Sequence, residues 1–248
     1  MHLRLFDWGP SPFCMKLRAI LDYKGVPYER VPVLGPSSLR ELMRRSPVGK
    51  VPALDIDGRM ITDSTDIAHE IERLFPEPPV LPAQARLRGL SHALEDWADE
   101  ALYFIGLYFQ WIDARGRPMV RRAFGASPLG VLARLFYQRR IAAQVRGQGT
   151  GRKTAGQVAA DLQREFDALA AMLADRPFLL GETPWLCDFA VNAQLVYLAR
   201  PPGSAELLRS HGAIAAYMER MKSLRANRQA RGGCTPPDLG GAGLIVAR

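Results

Sequence analysis

Cysteine is scarce in this chain. Cys14, Cys187 and Cys234 are the only three in 248 residues, odd in number and far apart. That excludes a disulfide scaffold and suits a reducing compartment. Histidine is scarce too, with four scattered residues, and no metal-ligand spacing appears, so no metal is expected. No apolar run approaches the roughly 20 residues of a membrane span. Residues 1–20 lack the basic, apolar and small-residue series of a secretion signal. These absences point to the cytoplasm. Acidic residues are missing altogether from Ala114 to Lys153, a stretch with ten Lys/Arg, in a chain of net charge +8. No nucleic-acid motif accompanies this charge, so no nucleic-acid partner is expected. A solvated helical face explains it more simply than contact with an anionic membrane surface.

What is present falls into two halves. Leu3–Phe6 reads as a strand, and Pro12–Lys24 as a helix with Phe13, Leu17, Ile20 and Leu21 at helical spacing and Gly25 as its stop. Tyr28–Val33 is a second strand, and Ser37–Arg45 a short helix capped by Ser37 or Ser38. Ala53–Ile56 and Arg59–Ile61 form a hairpin around Asp57-Gly58, a strong turn dipeptide. Ser64–Phe75 is an amphipathic helix. The order is βαβαββα. The segment FPEPPVLP (75–82) then reads as a stiff linker, because proline neither continues a helix nor joins a central strand. Beyond it only 3.6-residue periodicity remains, in Leu87–Asp113, Pro128–Val145, Thr154–Leu173, Trp185–Leu198 and Gly212–Leu224. The expected domains are 1–78, α/β, and 85–225, all-helical, with 226–248 a surface or mobile tail.

Two stretches carry chemistry. The first is GPSPFCMKLR (9–18), which looks like a Cys-x-x-Cys motif whose first cysteine has become Ser11. Ser11 is a good N-cap and Pro12 suits N1, so a plain helix start is one reading. A hydroxyl aimed at a substrate thiol is another. Cys14, one turn in, is either a small core residue or a working thiol.

The second is GKVPALDIDGRMITDST (49–65). A proline just before a strand invites a cis Val51-Pro52 bond. The Val51 N–H and C=O would then face a cleft and pair with a peptide as an added strand. Asp63-Ser64 opens a helix, whose free N–H groups, hydroxyl and positive dipole end make a carboxylate site. Lys50 offers a second, more distant anion contact. A peptide with a carboxylate at each end and a thiol between them fits this set, which describes glutathione. Capping alone, and a trans edge proline, are the plainer readings of each feature taken singly.

With these features in this order, the chain resembles the glutathione transferase superfamily over most of its length. The resemblance rests on SPFC, on SPVGKVPALDIDG (46–58), on TDSTDIAHEIE (62–72), on the proline linker, and on FLLGETPWLCDFAV (178–191) leading to Asp188. Several stretches resemble most the branch with failed-axon and metaxin-like proteins: SPFCMKLRAIL, LYFIGLYFQWID (102–113) and GQGTGRKTAGQVAADL (147–162). Two departures stand out. Trp185 replaces the usual Ser or Thr three residues before the buried Asp, and Asp63 replaces the commoner Glu or Gln before Ser64.

The resemblance implies a thioredoxin-like glutathione-binding domain followed by a helical one, working as a homodimer. It places Ser11 at the catalytic hydroxyl, Val51 and Pro52 at the backbone-pairing dipeptide, and Asp63 and Ser64 at the γ-glutamyl carboxylate. The expected activity is conjugation of glutathione to a small apolar electrophile, with Tyr103, Tyr108 and Trp111 as pocket walls. Two alternatives accompany it: a non-catalytic binding or assembly module whose cleft is filled, and a thiol transferase using Cys14.

Overall fold

The computed structural model describes residues 1–33, 35–46 and 49–229. Leu3–Asp7 forms β1, which pairs parallel with β2 (Glu29–Pro32) and antiparallel with β3 (Ala53–Ile56); β3 pairs antiparallel with β4 (Arg59–Thr62). The sheet order is β2-β1-β3-β4. The register sets Phe6 beside Val31 and Ala53, and these three close a small core with Leu42 of α2 (Pro36–Arg45). Leu5 and Leu54 point to the other face. There they join Leu17 and Ile20 of α1 (Pro12–Lys24) and Ile67 and Ile71 of α3 (Ser64–Leu74) in the main core. Successive residues alternate faces along a strand, so one strand serves both layers.

The element order is the expected one, with shifted ends. α2 begins at Pro36 rather than Ser37, because proline's fixed φ suits the first helical position and Gly35 becomes the cap. The Ser38 hydroxyl instead donates to the Pro32 carbonyl at 2.9 Å. β2 is shorter by a residue at each end, β4 runs on to Thr62, and α3 stops at Leu74.

The proline linker is held from both sides. Lys24 donates to the carbonyls of Phe75 (2.7 Å) and Pro78 (2.8 Å), and Glu72 accepts from the N–H groups of Val80 and Leu81. After it, α4 (Ala85–Trp97) continues through a π-helical turn (Ala98–Leu102), α5 (Tyr103–Leu107) and a second π-helical turn (Tyr108–Ile112). Then follow α6 (Arg117–Phe124), α7 (Pro128–Gln148), α8 (Ala155–Met172), α9 (Leu186–Leu198), α10 (Pro202–Arg209) and α11 (Gly212–Gln229).

Periodicity did not reveal α6 or α10. Both are eight residues long and carry proline in the first turn, where it starts a helix but reads as a breaker. α9 is buried on nearly every side and packs against α1, which joins the two halves into one core. No helix among the described residues is long and apolar enough to cross a membrane. Of the expected tail 226–248, residues up to Gln229 continue α11, and 230–248 lie outside the described residues.

Candidate functional site

The loop between β1 and α1 is anchored by charge. Asp7, at the end of β1 and almost wholly buried, pairs with Arg18 of α1 and Arg30 of β2. Arg18 also donates to the Gly9 carbonyl at 3.1 Å, and the Ser11 N–H donates to the Trp8 carbonyl at 2.9 Å. Ser11 caps α1, its hydroxyl oxygen accepting the Cys14 N–H at 3.4 Å. Among the described residues that hydroxyl has no acceptor for its own proton, and it lines the cleft between the domains. Cys14 does not reach the cleft. It is fully buried, its Sγ accepts the Trp8 N–H at 3.4 Å, and burial pushes its thiol up to about 12. The alternative of Cys14 as the working thiol needs an exposed sulfur, and this one is enclosed.

The second stretch borders the same cleft. The Val51-Pro52 bond is cis. Pro52 packs into the structure, while Val51 stays half-exposed and, among the described residues, has no main-chain hydrogen bond. Lys50 is exposed at the rim and has no ion-pair partner among the described residues. Asp63 sits at φ +80°, a backbone conformation uncommon outside glycine, asparagine and aspartate. Its carboxylate accepts the N–H groups of Thr65 (2.8 Å) and Asp66 (3.4 Å). Capping therefore occupies Asp63, and Ser64 is what remains open: neither its N–H nor its hydroxyl has a partner among the described residues. The cleft spans about 1020 Å³ and brings Ser11, Lys50, Val51, Pro52, Asp63 and Ser64 onto one lining.

The helical domain supplies the facing wall. Phe13 and Tyr103 meet edge to face there, with ring centroids 4.8 Å apart. Tyr108 and Trp111 do not reach it. Both are buried in the core, Tyr108 edge-on to Phe109 and Trp111 edge-on to Phe124 of α6. The expectation of three aromatic walls is thus corrected to one. The α6–α7 hairpin, of which the periodicity showed only the second helix, packs onto the Tyr108–Ile112 turn and covers it.

Beneath this wall lies a charge cluster that the sequence reading missed. Lys16 of α1 is wholly buried, with its ammonium 2.8 Å from Glu95 and 2.7 Å from Asp99. The Thr65 hydroxyl donates to the same Glu95 oxygen at 2.8 Å. Burial alone would lower the Lys16 pKa, but Asp99 and Glu95 hold it above its usual value, so the group stays charged. The cluster ties α1, which Ser11 caps, to α3, which Ser64 opens, and to α4. A sequence signal existed. Glu95 and Asp99 are like charges at i,i+4, a destabilising spacing unless a cation lies between them.

Residues 5–79 match the family described as glutathione S-transferase, N-terminal domain. The isoprene-epoxide–glutathione S-transferase of Rhodococcus is 27% identical over 87% of this chain and 94% of its own length. Protein LigF of Sphingobium is 34% identical over 45% of this chain and 42% of its own. The crystal structure of LigF, described as a β-etherase, superimposes with a TM-score of 0.70 at 20% identity, covering 93% of this chain and all of that one. A glutathione S-transferase of Methylobacterium radiotolerans, solved in complex with glutathione sulfonate, gives 0.61 at 21% identity over 98% of this chain and 99% of its own.

A mixed four-stranded sheet with a helical second domain is the fold of the glutathione transferases, and this chain has it. Residues 5–79 are the part that matches the N-terminal-domain family of those enzymes.

Proposed function

We propose that this protein is a glutathione transferase that binds glutathione, holds its sulfur as thiolate and conjugates it to a small apolar electrophile. The observation that carries this reading is the single open cleft shared by the Ser11 hydroxyl, the unpaired main chain of Val51 and the unpaired N–H and hydroxyl of Ser64. Residues 1–78 bind glutathione and residues 85–225 supply the electrophile wall. Ser64 and the start of α3 receive one carboxylate, Lys50 the other, and Val51 pairs with the peptide backbone. Tyr103 and Phe13 face the electrophile. The names of two relatives, an isoprene-epoxide transferase and a β-etherase, make small epoxides and ethers the first compounds to screen. The reading extends to a cytoplasmic homodimer that needs no metal.

The finer kinship with failed-axon and metaxin-like proteins rests on the sequence stretches alone. It allows a non-catalytic module whose cleft is filled by Trp8, by Phe13 or by the tail. Trp8 and Phe13 stand in the cleft's lining, and the tail beyond Gln229 lies outside the described residues.

Glutathione binding is tested by heat. A ligand bound only by the native state stabilises it by about 2.7 kcal/mol at a hundredfold excess over Kd. Millimolar glutathione is expected to raise the melting temperature, and Ser64→Ala to weaken affinity by at least about tenfold, since a hydrogen bond to a charged group contributes about 1.5–3 kcal/mol. A wild-type melting temperature indifferent to glutathione would leave the non-catalytic module standing.

The chemistry is tested at Ser11. A free thiol titrates near 8.5, so little is ionised at pH 7. A hydroxyl donating to the sulfur at a helix N-terminus favours the charged form. Ser11→Ala is expected to raise the pKa of bound glutathione by roughly one unit and to slow conjugation near pH 7 about tenfold. Glutathione affinity should change little, and Cys14→Ser should leave conjugation nearly intact. Should wild type reduce mixed disulfides and Cys14→Ser abolish that, the serine assignment fails.

A further inference from the structure

Among the described residues, the outward stripe of α7 has no covering element and no charge partner. Among the described residues seven large apolar side chains are exposed, and four lie on this one helix: Leu129 (67%), Leu132 (66%), Leu135 (40%) and Phe136 (57%). The opposite side of the helix buries Gly130, Ala133 and Val145 against the domain. Residues 129, 132 and 136 fall at i, i+3 and i+7, one face of a helix. The same stripe continues into Arg139 and Arg140, both exposed. The neighbouring α6 packs beside α7 and adds the exposed Arg121 and Arg122. Within 114–153, Arg115 and Lys153 are the only cations ion-paired among the described residues. The face is therefore apolar at its centre and cationic at its edge, with no acid of its own.

We propose that this face docks on an anionic lipid surface, with Leu129, Leu132 and Phe136 entering the headgroup boundary and the arginines lying over the headgroups. Charge decides between the occupants. A two-fold contact with a second copy would set the same patch against itself. It would bury the patch's arginines against a surface from the same stretch, which holds no carboxylate to pair with them. An anionic bilayer offers negative charge at the arginines and apolar depth at the leucines in one surface, with no requirement for a matching groove. Binding of this kind is held jointly by apolar insertion and charge, and salt weakens the second part.

Flotation of the full chain with vesicles tests this, comparing phosphatidylcholine alone with phosphatidylcholine mixed with phosphatidylserine. The protein is expected to partition at least tenfold more strongly onto the mixed vesicles and to leave them as salt is raised. Each arginine near an anionic surface multiplies partitioning about fivefold, so the Arg139→Gln, Arg140→Gln double variant should lose most of it. Leu132→Asp with Phe136→Asp should abolish it while the melting temperature stays near that of wild type, because both side chains are already exposed. Equal partitioning onto both vesicle types, or partitioning that neither variant alters, overturns the proposal. So does a Leu132→Asp, Phe136→Asp variant that sediments as a smaller species than wild type, which would make the face a subunit contact. If wild type floats with neither vesicle, the proposal is overturned as well.

Discussion

Lys16→Met is expected to lose about 3–5 kcal/mol of stability, because it removes the cation between the buried Glu95 and the half-buried Asp99 carboxylates. Glu95 and Asp99 would then face each other on consecutive turns of one helix segment, with the ring of His92, 3.6 Å from Glu95, as the remaining neighbour that can carry positive charge. The ion pair is not stabilising by its mere presence: desolvating three charges costs nearly what their attraction returns. The cost arises when one partner goes and the others remain buried. For a chain of this size the loss corresponds to a fall in melting temperature of about 10 °C. Adding Glu95→Gln and Asp99→Asn to Lys16→Met should recover much of it, since the unpaired charge is then gone. A single mutant within about 1 kcal/mol of wild type would show that water, not Lys16, solvates the two acids. Thr65 shares the Glu95 oxygen, so the same mutation should also weaken glutathione binding at the neighbouring Ser64.

Asp188→Ala is expected to cost a similar amount, about 3–5 kcal/mol, through main-chain groups rather than charges. Asp188 is fully buried at the start of α9. Its carboxylate accepts the Leu179 N–H (2.9 Å), the Trp185 N–H (2.8 Å) and the Tyr217 hydroxyl (3.2 Å). Those donors lie on the loop before α9, at its cap and on α11, so one side chain joins three segments. Alanine would leave the two amides buried without an acceptor, at about 1–3 kcal/mol each. The Tyr217 hydroxyl keeps the Asp188 carbonyl as a second acceptor at 3.0 Å, which limits its share. Urea unfolding should show a lower midpoint at an unchanged slope, the signature of lost stability without a changed end state. A midpoint close to wild type would mean that the loop relaxes and finds water. Trp185 joins the cap through its main chain: its N–H donates to the Asp188 carboxylate, and its carbonyl accepts the Asp188 N–H at 2.8 Å. With the Ser or Thr hydroxyl missing, the Asp188 carboxylate is the side-chain acceptor of the cap.

Local signals made much of the first domain legible. Gly25 takes the left-handed conformation that ends α1, and Asp57-Gly58 turns the hairpin between β3 and β4. The cis Val51-Pro52 bond was readable because a proline beside a strand has few other uses. In the site, Ser11 and Ser64 were legible as helix starts, and their chemistry follows from what a helix start leaves unpaired. The helical domain was less legible. Tyr103, Tyr108 and Trp111 looked equivalent from spacing, and only the packing of α6 and α7 distinguished them.

The sequence by itself determined the two-part architecture, the helix starts and the run of unopposed positive charge, since each depends on neighbours within a few residues. Tertiary structure alone decided that Cys14 is buried and Ser11 faces the cleft. Both lie within one turn of the same helix, and only the packing around that turn separates their roles. It also decided that Lys16, Glu95, Asp99 and Thr65 meet. Residues about 30 to 80 positions apart have no local signature, and a lysine becomes a buried structural cation only when the fold brings it two carboxylates.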